Sequence, residues 1–192
     1  MLMLILPLIG WLGLSTAGFV WLANYKAIPG EPVKGQSHWP RESSITRVPG
    51  KYNFVLALNP HCPCSQATVT ELTRLVNDRA DVTLHVLAFH PSAFADGWEE
   101  CTLLDELKSL PVTRLHVDVN ADSAEQFGIF TSGGLALYGL KGELLFQGGI
   151  TPARGHVGGT DAHRAIRSRL LGETTELFTA PVFGCPLRDI GS

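Results

Sequence analysis

The stretch "KYNFVLALNPHCPCSQATVTELTRLV", Lys51 to Val76, passes from a continuous apolar segment through two cysteines into an amphipathic one. Its first part, "KYNFVLALN" (51–59), is rich in β-branched and aromatic residues, the pattern of a strand buried on both faces. In 64–79, Ala67, Val69, Leu72, Leu75 and Val76 recur at spacings of three and four with charged residues between them, which predicts a helix packed on a sheet. Cys62 and Cys64 therefore fall at a strand-to-helix corner. The amides and dipole of a helix N-terminus stabilise a thiolate there, and Pro63 stiffens the corner by fixing its own φ.

Three readings of this corner follow. Residues i and i+2 lie about 5.5–7 Å apart, overlapping the Cα range of about 4.4–6.8 Å that a disulfide tolerates, so a strained and easily reduced Cys62–Cys64 bond is feasible. In a second register, "CPCS" pairs Cys62 with Ser65 and leaves Cys62 working as a single thiol. In the third, both cysteines are inert and buried.

Outward from the corner, "VTLHVLAF" (82–89) and "RLHVDVN" (114–120) read as strands, with a helix over Glu99–Leu110 between them. A short helix over 121–129 precedes a hairpin of "GLALYG" (134–139) and "ELLFQGG" (143–149), and "TDAHRAIRSRLLG" (160–172) reads as a last helix. Strands alternating with helices predict an α/β domain over 51–172, a central mixed sheet with helices on both faces, and a functional rim at the carboxyl ends of its parallel strands. Residues 173–192 read as a tail.

The first 23 residues carry no charge. As a helix, 2–23 would extend about 33 Å, enough for a bilayer core of about 30 Å. A single transmembrane anchor over 1–25 is the expectation, with a cleaved signal peptide as its alternative. Residues 26–50, rich in Pro, Gly and Ser, read as a linker. The net charge of −3 leaves no basic footprint for nucleic acid.

The corner and its surroundings resemble the thioredoxin-like superfamily from about Tyr52 to Leu171. "NFVLALNPHCPCSQATVTELTRLV" looks like its strand, redox corner and long helix; "LHVDVNADSAEQFGI" and "GLALYGLKGELLFQGGI" are similar to the later part of its membrane-tethered branch, within which the chain looks most like a bacterial group labelled RedB. The resemblance implies a membrane-anchored thiol–disulfide oxidoreductase acting outside the cytoplasm on a protein disulfide or dithiol partner, with Cys62 attacking, Cys64 resolving and no cofactor. One residue separates the cysteines here where the family has two. Ser132, Gly133 or Gly134 stands where the family carries a cis-proline.

The same topology brings further residues toward the rim: His61 beside Cys62, His90 at the end of the second parallel strand, and "GGITPARGHVGG" after the hairpin. Gly148 and Gly149 would let a partner backbone approach closely, and Arg154 and His156 could supply charge or a proton. Cys62 and Cys64 with His61, His90 or His156 would also make a soft copper site, so a copper carrier is an alternative, as is a redox-inert docking domain. Cys101 reads as a core thiol on its helix. Cys185, in "PVFGCPL", reads either as a third thiol at the rim or as an unpaired tail cysteine.

Overall fold

The computed structural model describes residues 2–176 and 178–188, without the side chains of 2–6; the expected anchor's first residue and the last four residues of the tail lie outside this description. In chain order the elements are α1 (Leu2–Ala27), β1 (Tyr52–Leu58), α2 (Pro63–Val76), β2 (Val82–His90), α3 (Thr102–Lys108), β3 (Thr113–Val119), α4 (Asp122–Gln126), β4 (Gly134–Tyr138), β5 (Leu144–Gly148), α5 (Asp161–Leu170) and β6 (Thr179–Ala180). They build one six-stranded sheet in the order β3-β2-β1-β4-β5-β6. β1, β2 and β3 run parallel, β4 and β5 form the antiparallel hairpin, and β6 lies parallel to β5. This is a mixed α/β, thioredoxin-like fold.

One face of the sheet buries Phe54, Leu56 and Leu58 of β1 against Val69, Leu72 and Val76 of α2, Leu104 and Leu107 of α3, and Ile166 of α5. The other face, with Val55, Ala57 and Tyr138, is covered differently. Among the described residues only the short α4 supplies a helix there; Phe127 and Ile129 follow it, and Val33, Ile45, Val182 and Leu187 come from the segments before β1 and after β6. Trp39 packs edge-on against His85, Phe127 and Tyr138, with ring centroids 5.5, 4.9 and 5.1 Å away. Residues 28–50 thus do not hang free as a tether. Val33, Trp39 and Ile45, too sparse to show a period, pack against the sheet, while Ile28 stays exposed.

Three boundaries moved for local reasons. α3 starts at Thr102 instead of Glu99, because the backbone of Cys101, at the N-cap position, is extended and Glu99 is turned to His90. α4 starts where the Asp118 carboxylate accepts from the Ser123 and Ala124 amides, at 2.7 and 3.0 Å. β6 falls in a segment that read as featureless tail, because only two of its residues pair with β5.

α1 forms as a helix, but among the described residues no helix is long and apolar enough to cross a membrane. The described residues therefore do not support the transmembrane reading of 1–25. The uncharged residues that would lengthen the run lie at its start, where side chains are not described, and its end carries Asn24 and Lys26.

Candidate redox site

Both edges of the site are set by β1. Its carboxyl end leads through Asn59 and Pro60 to Cys62, the N-cap of α2, whose backbone is extended (φ −81°, ψ 120°) with Pro63 as first helical residue. Cys62 is 5% exposed, so the thiol expected on an open rim is covered. The tail lies directly against it. Cys185 Sγ lies 2.8 Å from Cys62 Sγ, across 123 residues of sequence.

Around this contact the electrostatics divide the three neighbouring thiols. Burial pushes the Cys62 thiol up, but hydrogen bonds from the Cys185 thiol, the Cys64 and Cys185 amides and the Cys64 thiol outweigh it, leaving Cys62 below its ordinary value. Cys64 is pushed up, first by burial and then by the charge and hydrogen bond of Cys62, against the opposing Arg154 charge and Gly155 amide. Cys185 is pushed up to about 12 by burial, by its hydrogen bond to Cys62, and by the charges of Cys62 and Cys64. One thiol is activated at the expense of two.

Two buried serines, Ser65 and Ser132, tie the backbone of the corner. Ser65 Oγ donates to the Asn59 carbonyl at 2.8 Å and lies 3.0 Å from Ser132 Oγ, which accepts from the Asn59 amide at 2.9 Å. Gly133, with φ +86°, donates its amide to Ala57 O at 2.8 Å, and its Cα faces Thr68 so closely that a Cβ would stand 2.8 Å from Thr68 Oγ1. No cis peptide is present among the described residues.

Arg154 reaches the site from the loop after β5. Its Nη1 donates to Gly184 O, its guanidinium lies 5.1 Å from the Tyr25 ring centroid, and its charge acts on Cys64 and Cys185. The histidines do not gather with it. His61 Nε2 lies 2.7 Å from Trp98 O, His90 Nδ1 2.7 Å from Glu99 Oε2, and His156 Nδ1 2.7 Å from its neighbour's carbonyl, Arg154 O. Among the described residues no group of three His, Cys, Asp or Glu side chains is arranged to hold a metal ion. The copper set of Cys62 and Cys64 with His61, His90 or His156 is thus not assembled, because each ring is already engaged elsewhere. Gly148 and Gly149 are approached by a backbone, that of the chain's own Ala180 and Pro181, where added Cβ atoms would stand 2.2 and 2.5 Å from carbonyl oxygens.

Cys101 is half-buried, its Sγ 3.9 Å from Pro60 O. Sequence reasoning missed Trp98 and Glu99, which hold His61 and His90, and the seating of Cys185. A signal for the last exists: Gly184 precedes the cysteine and two apolar residues, Val182 and Leu187, bracket it, as in a segment that must lie flat against another backbone.

The strand order and the β4–β5 hairpin give the chain a thioredoxin-like fold, with Cys62 and Cys64 at the N-terminus of α2. No protein-family model matches the chain, and a search of curated proteins gives no match. Among solved structures it is similar to a hypothetical protein from Sinorhizobium meliloti 1021 (17% identity over 74% of this chain and 82% of that one, TM-score 0.55). It is also similar to an uncharacterized conserved protein from Geobacillus kaustophilus (15%, 87% and 93%, TM-score 0.57). A more distant match is a secreted Mycobacterium tuberculosis disulfide oxidoreductase (13%, 65% and 83%, TM-score 0.44).

Proposed function

We propose that this chain is a thiol–disulfide oxidoreductase of the membrane-tethered, RedB-like kind, exchanging disulfides with a protein partner through Cys62. The observation that carries the reading is the placement of Cys62 as N-cap of α2 with Cys185 Sγ 2.8 Å away, where hydrogen bonds from the Cys185 thiol and the Cys64 amide hold its thiol below the ordinary value. The thiolate is the attacking species in exchange, so its enrichment near neutral pH is what the reaction needs. Cys62 attacks a partner disulfide, a mixed disulfide forms, and a second thiol of the chain releases the partner. Ser65, Ser132, Gly133 and Pro63 hold the corner's backbone, while Arg154 offsets negative charge on the two flanking thiols.

A maleimide gel shift tests the exchange. Reduced chain should gain label relative to chain oxidised with a disulfide, and dithiothreitol should restore it. Labelling that ignores dithiothreitol would mark a redox-inert docking domain, and stoichiometric protection by Cu(I) would mark a carrier; either result ends the proposal.

Anchoring through 1–25, with the domain on the extracytoplasmic side, rests on the uncharged run 1–23. Along α1, Leu8, Ile9, Trp11, Leu14, Phe19 and Trp21 are all more than half exposed, the surface that such an anchor would turn to lipid. Carbonate extraction of membranes decides it: the anchored chain stays in the pellet, and release into the supernatant removes this part of the reading.

A further inference from the structure

We infer that the chain's own tail is seated as an internal substrate, and that Cys185 closes the disulfide with Cys62. This rests on the exchange chemistry proposed above and names its second thiol, in place of the Cys64 that the family resemblance implies.

The seat is built from backbone. Ser132 N donates to Cys185 O at 2.8 Å, Leu187 N to Phe130 O at 2.9 Å, and Thr131 and Pro186 form an antiparallel bridge. Upstream, Gly30 N donates to Val182 O at 2.8 Å. This is how an extended peptide pairs with another backbone, main chain for affinity and one side chain for specificity. Here the side chain presented is a cysteine, and it points at the activated sulfur. Gly184 makes the approach possible: a Cβ there would stand 1.8 Å from Ser132 O.

A covalent S–S bond is about 2.0 Å long, so the sulfurs at 2.8 Å need to close by less than about 1 Å. Cys64 is less well served: its thiol also hydrogen-bonds Cys62, but Pro63 and the first turn of α2 fix its backbone, and the Gly155 amide shares that thiol. A Cys62–Cys185 bond would also constrain a far longer loop of the unfolded chain than a bond between residues 62 and 64, and so gains more from chain entropy.

The steps balance. Cys62 thiolate attacks a disulfide RS–SR′, forming Cys62–S–SR and releasing R′S⁻, which takes up a proton. The Cys185 thiol then gives up its proton and attacks Cys62 Sγ, forming Cys62–S–S–Cys185 and releasing RSH. Two thiols of this chain are oxidised and one external disulfide is reduced. The order follows from charge: while Cys62 is ionised it suppresses Cys185, and once Cys62 is in a mixed disulfide that suppression is gone.

Oxidised glutathione, which needs no docking edge, is the probe. Fully reduced full-length chain is treated with it, blocked with N-ethylmaleimide, cut after Lys and Arg, and mapped without reduction. Cys62 and Cys64 then share peptide 52–74, and Cys185 lies on 170–188. The expected product links the two peptides, in wild type and in Cys64→Ser alike. In Cys185→Ser the glutathione adduct on Cys62 should persist about tenfold longer or more, because a neighbouring thiol at high effective concentration is gone. The wild-type map stands without any variant. If it shows a link within peptide 52–74, and Cys185→Ser clears the adduct at the wild-type rate, the tail assignment is overturned and exchange through Cys62 survives. If Cys62 takes up neither adduct nor disulfide, both fall together.

Discussion

Cys62→Ser should lower the rate of disulfide exchange by about a thousandfold or more, to the level of the uncatalysed thiol background. The size follows from what remains. A serine hydroxyl does not exchange with a disulfide. Of the neighbouring thiols, Cys64 is pushed up by burial first, and Cys185 is held near 12. Losing Cys62 relieves its contributions to both shifts but leaves the burial that leads each of them. The measurement is turnover of a fluorescent glutathione disulfide with dithiothreitol as reductant, and Cys62→Ser retaining about a tenth of wild-type rate would sink the assignment. The pH profile adds a second reading. Wild-type Cys62 gains reactivity toward iodoacetamide as pH rises through a midpoint below the ordinary thiol value, since its lowered thiol ionises early. Cys185→Ala removes a hydrogen-bond donor to that thiolate, so its midpoint should move up. A structural cysteine would show no such dependence on position 185.

The parts of this molecule that were legible in the sequence are those whose signal is local. β1 and α2 declare themselves by an unbroken apolar run followed by a period of three to four, and the cysteine corner lies between them by simple adjacency. The hairpin β4–β5 has its own turn residues. What was hidden depends on contacts across long separations. Val33, Trp39 and Ile45 are isolated apolar residues among prolines and glycines, so nothing in their spacing says that they close one face of the sheet. β6 pairs through two residues, too few to carry a pattern. His61 and His90 stood near the thiols in sequence or topology, yet Trp98 and Glu99 of the loop before α3 hold them. The cysteine corner itself was read correctly as a helix start but wrongly as open, because its cover comes from 123 residues away. Glycines 148, 149 and 184 held the clue in a form that needs both partners known: each is required only once the approaching backbone is identified as the chain's own.

Gly184→Ala should unseat the Cys185 segment and raise the alkylation rate of Cys62 at least about tenfold, with the domain still folded. The backbone of Gly184 is not among the positive-φ glycines, so alanine carries no conformational penalty there, and its effect is steric. The added Cβ would stand 1.8 Å from Ser132 O and 2.9 Å from Ser132 C. That carbonyl cannot retreat easily, because Ser132 is tied to Asn59 and Ser65 through its own side chain. The tail must move instead. Doing so breaks the Ser132–Cys185 and Phe130–Leu187 hydrogen bonds, worth about 1 kcal/mol each, and exposes Leu187, now 2% exposed, at about 2 kcal/mol. A seat of about 4 kcal/mol protects Cys62 by roughly a thousandfold, using about 1.4 kcal/mol per factor of ten. Losing it exposes the sulfur but also removes the Cys185 donor, which lowers the thiolate fraction near pH 7. The two effects oppose each other, and they separate at about pH 9, where an ordinary thiol is mostly ionised and access alone decides the rate. There, iodoacetamide should modify Cys62 faster in Gly184→Ala than in wild type, and the Cys62–Cys185 link should fade from the peptide map. If Cys62 in the variant stays as protected as before, its burial owes nothing to the tail, and some other wall of the corner must be what shields it.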